Sequence, residues 1–213
     1  FVKIQLKNET HQYVLSETGK HRALNSVGVL AVIHALGLDI QHAAKCFKSI
    51  VTPVGRGGQK NINLTTEETF CLVDESYNAS PVAMKSAFSV LKSMKPGPGG
   101  RKIFVIGDML ELGNDARKLH IELIDDLLAA KPDIVFTVGK LMFELQKLLP
   151  IGIFGAHGAT SIDVADQIAN LIGAGDLVLV KGSLGTNMAP IIAAMNSKSS
   201  ENTNCSESNG GNG

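Results

Sequence analysis

The sequence predicts an α/β fold in which a mostly parallel sheet is covered by helices on both faces. From residue 70 onward, short runs of Val, Ile, Leu and Phe alternate with stretches of helical periodicity. Such runs are typical of parallel strands whose two faces are both buried. Each run ends in a glycine or a polar residue, and ligands of open α/β sheets bind beyond these carboxyl ends of the strands.

The first fifty residues have a different pattern, which predicts a hairpin followed by two helices. Apolar and polar residues alternate on either side of a turn at 7–10, so residues 1–15 predict two paired strands. Apolar residues recur at helical spacing over 24–36. Asp39 is a suitable N-cap for a second, short helix that runs through Phe47.

The glycine-rich segment 52–58 interrupts all periodicity and predicts a boundary between two structural units. Beyond it, five apolar runs are the candidate strands, at residues 70–73, 103–106, 134–138, 151–154 and 177–180. Candidate helices lie between and after these strands, at residues 81–94, 115–130, 141–149, 161–172 and 186–195. The tail, residues 197–213, has almost no apolar side chains, and we expect it to be disordered because it cannot offset its ordering entropy.

Composition and charge argue against several classes of protein. The 213 residues include 20 basic and 20 acidic side chains, and this zero net charge predicts no nucleic acid partner. No apolar run reaches the ~18–20 residues of a membrane helix, and no signal peptide opens the sequence. Three cysteines without close spacing predict reduced thiols. We therefore predict a cytoplasmic protein without membrane insertion.

Residue patterns by themselves identify no complete catalytic motif. No pair among the six histidines has a convincing metal spacing, so we predict no metal ligands in this sequence. Neither a phosphate loop nor a dinucleotide-binding glycine motif is present. The patterns therefore predict only an α/β domain with a site at the carboxyl edge of its sheet.

Five segments, taken in order, resemble motifs of the bacterial Mur ligases. They lie at residues 19–25, 52–56, 73–81, 106–113 followed by His120, and 180–185. Asp-Glu-Ser-Tyr-Asn-Ala-Ser-Pro at 74–81 is similar to the family's D-D-S-Y-N-A-N-P, and Val-Lys-Gly-Ser-Leu-Gly at 180–185 to its V-K-G-S-R-G. The resemblance covers residues 1–195. The amino-acid sequences of these segments most resemble the branch that adds D-alanyl-D-alanine to UDP-N-acetylmuramoyl-tripeptide.

The resemblance implies how the chain is divided. Residues 1–56 would be the end of a central P-loop ATPase domain, and residues 57–196 a Rossmann-like C-terminal domain. Since the sequence opens in mid-strand at Phe1 and lacks the phosphate loop, we expect it to be part of a longer ligase and inactive alone. ATP and Mg²⁺ are the implied cofactors, with the Mg²⁺ ligands expected upstream of this sequence.

The implied reaction is ATP-dependent formation of an amide bond in peptidoglycan precursor synthesis. The tripeptide carboxylate is activated as an acyl phosphate and is then attacked by the amine of D-Ala-D-Ala. The implied partners are therefore two small molecules, UDP-N-acetylmuramoyl-tripeptide and D-Ala-D-Ala. We expect the enzyme to be a monomer.

Nucleotide-binding residues also follow from the resemblance. Arg56 would bind the γ-phosphate, for which a planar guanidinium is well suited, although it could instead be a solvated loop arginine. Asn25 and His21 would bind adenine, since an amide can both donate and accept hydrogen bonds, or they could cap the following helix. Asp74 and Glu75 would bind the nucleotide, with Glu75 at the place that reaches the ribose hydroxyls, or Asp74 or Ser76 could close the turn after the strand.

The remaining implied residues bind the dipeptide, and they are Tyr77, Asn78, Asp108, Glu111, Lys181 and Ser183. Lys181 and Ser183 would hold the dipeptide carboxylate, unless the lysine is merely solvated. Asp108 and Glu111 would shape a loop that faces the dipeptide, or they could only brace that loop.

Four residues depart from the family pattern, and they are Arg22, Glu75, Ser80 and Leu184. These departures leave open a non-catalytic module that binds a nucleotide or a dipeptide. A second alternative is a folylpolyglutamate-synthase-like ligase, which shares the three-domain plan. The Ser-Tyr-Asn-Ala motif at 76–79 argues against that second alternative.

Overall fold

The computed structural model describes residues 1–6, 9–16, 20–50, 55–56, 58–65 and 67–197. The chain divides into two compact units, Phe1–Pro53 and Val54–Gly213. Part of the predicted boundary segment, residues 52–54 and 57, lies outside the described residues, and so does the predicted disordered tail from residue 198.

The first unit contains a hairpin and two helices, as the sequence predicts. Strand β1 (Val2–Leu6) pairs antiparallel with β2 (Glu9–Tyr13). The helices are α1 (Lys20–Ala35) and α2 (Ile40–Cys46), followed by a short 3-10 turn. The predicted turn at 7–10 is too long, because β2 already begins at Glu9.

A small apolar core holds the described part of this first unit together. The ring of Tyr13 stacks on that of Phe47, with 5.3 Å between centroids, and its hydroxyl lies 2.7 Å from the hydroxyl of Ser26. Leu30 of α1 is fully buried against them. The predicted cap is confirmed, since the Asp39 carboxylate accepts a hydrogen bond from the His42 N–H at 3.0 Å.

The second unit is built on a six-stranded sheet. Its strands are β3 (Gly58–Asn63), β4 (Thr69–Glu75), β5 (Lys102–Gly107), β6 (Ile134–Val138), β7 (Phe154–Gly158) and β8 (Leu177–Lys181). Their spatial order is β3-β4-β8-β5-β6-β7. Strands β3 and β4 are antiparallel and the other neighbouring pairs are parallel, which confirms the predicted fold class.

Helices cover both faces of this sheet. They are α3 (Pro81–Ser93), α4 (Ala116–Ile121), α5 (Ile124–Ala129), α6 (Met142–Gln146), α7 (Ile162–Leu171) and α8 at residues 189–197. Alternate residues of the strands point to opposite faces. Thus Phe104 packs in one apolar core with Phe88 of α3, while Val105 packs in the other core with Ile168 of α7.

The structure corrects three sequence-based assignments. The apolar run at 151–154 is not a strand: Ile151–Ile153 forms a 3-10 turn after Pro150, and the strand follows it as β7. Strand β3 escaped prediction because it is polar and, of its residues, only Ile62 is buried. The helix predicted over 115–130 is broken into α4 and α5.

Candidate functional site

Eight of the predicted site residues lie at one edge of the sheet. Strand β8 lies between β4 and β5, and both pairs are parallel, so the three strands end at the same edge. The residues at or just beyond these ends are Asp74, Glu75, Tyr77, Asn78, Asp108, Glu111, Lys181 and Ser183. The sheet therefore brings together segments that are about 30–100 residues apart in sequence.

Lys181 is the last residue of β8 and lies opposite Glu75 of β4 in the strand register. Its ammonium donates to Oε2 of Glu75 at 2.7 Å and to the carbonyl of Asn78 at 2.9 Å. The residue is 2% exposed, so the alternative of a solvated lysine is wrong. These contacts use two of the three N–H donors of the ammonium and offset the cost of burying its charge.

Asp74 closes the turn between β4 and α3. Its Oδ1 accepts hydrogen bonds from the backbone N–H of Ser76 at 3.1 Å and from the hydroxyl of Ser76 at 2.6 Å. The structural interpretation of Asp74 is thus confirmed. Ser80, which departs from the family pattern, is the N-cap of α3 and accepts from the N–H of Ala83.

Asp108 follows β5 and is 7% exposed. Its Oδ1 accepts hydrogen bonds from the backbone N–H groups of Leu141 at 3.1 Å and Met142 at 2.7 Å, at the beginning of α6. A Cβ at Gly139 would overlap this carboxylate, and Gly139 has a φ of +104°. Asp108 therefore braces a loop, which was the alternative to a direct contact with substrate.

Ser183 joins three of the loops that follow strands. Its hydroxyl accepts from the N–H of Leu110 at 2.9 Å and donates to the carbonyl of Ala79 at 3.3 Å. The N–H of Ser183 donates to the carbonyl of Asp108 at 3.0 Å. Thr186, which the sequence did not single out, donates its hydroxyl to the same carbonyl at 3.1 Å. Ser183 is 7% exposed, and its hydroxyl both donates and accepts a hydrogen bond within the protein.

His120, to which the sequence assigned no role, is fully buried beneath the same loop. Its Nε2 accepts from the N–H of Met109 at 2.9 Å, so its Nδ1 carries the proton and donates to the carbonyl of Ala116 at 2.6 Å. Burial lowers the pKa of His120. The ring is therefore neutral around pH 7 and able to accept a hydrogen bond.

The loop at residues 108–113 ends in two left-handed backbone conformations. Glu111 has a φ of 63°, and Gly113 has a φ of 60°. Glycine adopts this conformation freely, whereas a glutamate does so rarely. The Glu111 side chain is exposed at the sheet edge, so the predicted dipeptide residue is accessible to a ligand.

Arg56 and Tyr77, predicted to serve two different ligands, are in contact. The guanidinium carbon of Arg56 lies 4.0 Å from the centroid of the Tyr77 ring. The N–H of Tyr77 donates to the carbonyl of Gly55 at 3.0 Å. Gly55 has a φ of +76°, and a Cβ there would lie 3.0 Å from the Tyr77 nitrogen. A glycine therefore allows this loop to lie close to the turn after β4.

In the first unit, Asn25 lies in α1 and lines a cavity of about 170 Å³. Most of the cavity wall is formed by apolar side chains, which include Leu15, Val29, Phe47 and Ile50. Arg22, which differs from the family pattern, also lines the cavity. Because α1 begins at Lys20, Asn25 is inside the helix and the capping alternative for it is wrong. His21 is in the first turn of α1, and its side chain lies outside the described residues.

In the described part of the chain, no group of three or more His, Cys, Asp or Glu side chains is arranged to hold a metal ion. Among these residues, too, no helix combines the length and the apolar character needed to span a membrane.

Comparison with known sequences gives matches to one family. The family model for the Mur ligase glutamate ligase domain matches residues 63–184. A UDP-N-acetylmuramoyl-tripeptide–D-alanyl-D-alanine ligase of Rickettsia prowazekii is 36% identical over 173 residues, which cover 81% of this chain and 37% of that protein. The Bacillus subtilis ligase of the same name is 28% identical over 197 residues, covering 88% and 40%. The chain thus spans about two fifths of the length of these relatives.

Solved structures show the same fold. MurF from Acinetobacter baumannii superposes with a TM-score of 0.75 at 24% identity, covering 92% of this chain and 42% of that one. MurF ligase from Thermotoga maritima, solved in complex with ADP, superposes with a TM-score of 0.72 at 23% identity, covering 93% and 43%.

Proposed function

The chain belongs to the Mur ligase family, and we propose that it is the part of an ATP-dependent ligase that binds and orients D-alanyl-D-alanine for addition to UDP-N-acetylmuramoyl-tripeptide. One observation carries this proposal. Three signature segments, 74–81, 107–113 and 180–185, meet at one sheet edge through the contacts of Lys181 with Glu75 and of Ser183 with Leu110. The relatives named for this reaction support the choice of substrates.

Each unit, taken by itself, contains candidate nucleotide-binding residues. ATP supplies the phosphoryl group that activates the tripeptide carboxylate. The cavity beside Asn25 has apolar walls and an amide at its rim, a combination that fits a purine base. Arg56 presents its guanidinium to the γ-phosphate, and its contact with Tyr77 restricts the orientation of that planar group. The assignment of His21 to adenine stays a prediction.

The acidic residues at the end of β4 each keep one carboxylate oxygen for the ribose hydroxyls. Asp74 uses Oδ1 for Ser76, which leaves its Oδ2 as a ribose acceptor. Glu75 uses Oε2 for Lys181, which leaves its Oε1 for the same purpose. This arrangement lets one short segment both shape the turn and contact the nucleotide.

The dipeptide is held by the loops beyond the three strands. Lys181, whose ammonium has one N–H donor beyond its contacts with Glu75 and Asn78, is assigned to the dipeptide carboxylate. Tyr77, Asn78 and Glu111 are assigned to the rest of the dipeptide. Ser183 and Asp108 act by fixing these loops. Holding the amine close to the activated carboxylate converts an encounter of two molecules into a step within one complex, which lowers the entropic part of the barrier.

Magnesium does not fit the described residues, because they contain no cluster of three candidate ligands. The expectation of Mg²⁺ ligands elsewhere in the ligase stays a prediction, as do the monomeric state and the cytoplasmic location.

A ligation assay tests the proposed function. The complete protein that carries this chain is incubated with ATP, UDP-N-acetylmuramoyl-tripeptide and D-Ala-D-Ala, and both ADP and the pentapeptide product are measured. We expect ADP release that requires both acceptor and dipeptide, whereas this chain alone should release none. Glutamate with a folate acceptor serves as the competing substrate pair. Turnover of that pair, or no turnover of D-Ala-D-Ala, would overturn the proposal.

A non-catalytic binding module is the second candidate, and Leu184 is the observation in its favour. This leucine stands where the family pattern has an arginine, and it is 64% exposed at the sheet edge. A lost guanidinium contact would not be replaced by an alkyl group. Calorimetric binding of D-Ala-D-Ala to the complete protein, combined with absence of product in the ligation assay, would favour this candidate.

A further inference from the structure

The exposed residue Glu111 is held in an unfavourable backbone conformation. Its φ of 63° is in the left-handed region, which residues other than glycine, asparagine and aspartate rarely adopt. Residues in such conformations persist where their surroundings impose them, and they are concentrated at functional sites. The question is therefore which contacts impose this conformation.

Two buried side chains hold the residues immediately before Glu111. The N–H of Met109 donates to Nε2 of His120, and the N–H of Leu110 donates to the hydroxyl of Ser183, each at 2.9 Å. Both acceptors are at least nine-tenths buried. Two successive N–H groups of one loop are thereby fixed from two directions, by α4 on one side and by the loop after β8 on the other.

We propose that His120 is a positioning residue for the amine substrate: it fixes the 108–113 loop through the Met109 N–H and so presents Glu111 at the carboxyl edge of the sheet. This inference rests on the proposed function, in which that loop faces the dipeptide. His120 itself is fully buried and touches no substrate. Its effect passes through the backbone of Met109.

The two ring nitrogens of His120 have separate partners, so two amide substitutions separate their roles. The amide group of glutamine reaches the place of Nε2, and that of asparagine reaches the place of Nδ1. His120→Gln therefore keeps an acceptor for Met109 and loses the contact with Ala116. His120→Asn keeps a donor to Ala116 and loses the contact with Met109.

Amide hydrogen exchange in this chain tests the fixing of the loop. We expect His120→Asn to accelerate exchange at Met109 at least tenfold, and His120→Gln to change it less than threefold. Ile168→Val, a conservative change in the core under α7, controls for general loosening of the second unit. Equal acceleration in the Gln and Asn variants, or none in either, would overturn the fixing role.

Kinetics of the complete ligase test the role toward the amine. We expect His120→Asn to raise KM for D-Ala-D-Ala at least fivefold while KM for ATP changes less than twofold, and His120→Gln to restore KM for the dipeptide. Parallel changes in both KM values would indicate a merely structural residue and overturn the inference. If the wild-type ligase does not use D-Ala-D-Ala, the proposed function fails and the substrate role of His120 fails with it. The exchange result stands independently of that outcome.

Discussion

Lys181 and Glu75 face each other across two neighbouring strands, with Nζ of the lysine 2.7 Å from Oε2 of the glutamate. The lysine side chain is 3% exposed and that of the glutamate 22%. A buried ion pair of this kind adds little stability in itself, but either charge left alone in the same place is costly. Loss of either charge should therefore disturb both β4 and β8 at the edge where we place the substrate.

Removing one charge of this pair should destabilise the second unit. For Lys181→Met we expect a loss of about 2–3 kcal/mol in the free energy of unfolding, below the ~3–5 kcal/mol of a fully buried pair because Glu75 is partly exposed. The double variant Lys181→Met with Glu75→Gln should recover a large part of that loss, since no charge remains buried. Urea unfolding measures both. A double variant as unstable as the single one would contradict the account.

Gly139 should tolerate no side chain, because a Cβ there would overlap the carboxylate of Asp108. Its φ of +104° adds strain for any other residue. We expect Gly139→Ala to cost about 2–3 kcal/mol and to expose the Met142 N–H to exchange, because Asp108 must leave the beginning of α6. Gly152→Ala is the matched control, since nothing lies within 4 Å of its added Cβ, and it should change stability by less than ~0.5 kcal/mol.

The stability of the second unit should fall as the pH drops below about 6.5. Burial lowers the pKa of both His120 and His157 from the ordinary value of 6.5. Each group therefore binds its proton more readily in the unfolded chain, and stability is complete above pH 6.5 and is lost as the pH falls toward the folded-state values. Carboxylates with lowered pKa values, such as Asp163, contribute stability throughout this range and lose it only as the pH falls below their ordinary pKa of 3.8.

Unfolding by urea at intervals between pH 5 and 8 measures this dependence. The variant His120→Gln should show a smaller loss between pH 6.5 and 5 than the wild type, because one of the two rings with a lowered pKa has been removed. A wild-type profile that is flat over this range, or a variant profile with the same slope, would show that burial does not hold these rings neutral.

How far the sequence predicted the fold depended on burial. The central strands β5, β6 and β8 are almost entirely buried, and their apolar runs predicted them correctly. The polar edge strand β3 has no such run. Ile151 shows the opposite failure, since it is apolar but 96% exposed in a 3-10 turn. Periodicity reports burial, so it fails where a strand is exposed or where an apolar residue is not buried.

The sequence singled out residues that the sheet brings to one edge, but it did not predict their contacts. The Mur-like segments identified Glu75 and Lys181, yet their pairing depends on β4 and β8 being neighbours in the sheet, which neither segment encodes locally. The role of His120 was also hidden, because its acceptor nitrogen meets a backbone N–H rather than a side chain. The positive φ of Glu111 could not be predicted from the sequence either, since glutamate does not favour that conformation.

Tyr77 should affect ATP binding through Arg56, whose guanidinium carbon lies 4.0 Å from the ring centroid. A cation–π contact at an exposed site contributes ~0.5–1 kcal/mol, which corresponds to about a two- to fivefold change in affinity. In the complete ligase, we expect Tyr77→Leu to raise KM for ATP by that factor, whereas Tyr77→Phe should leave it unchanged because the ring remains. Val82→Ala, at an exposed position of α3, is the control for surface changes nearby. An equal rise in KM for the Leu and Phe variants would assign the effect to the Tyr77 hydroxyl instead of the ring.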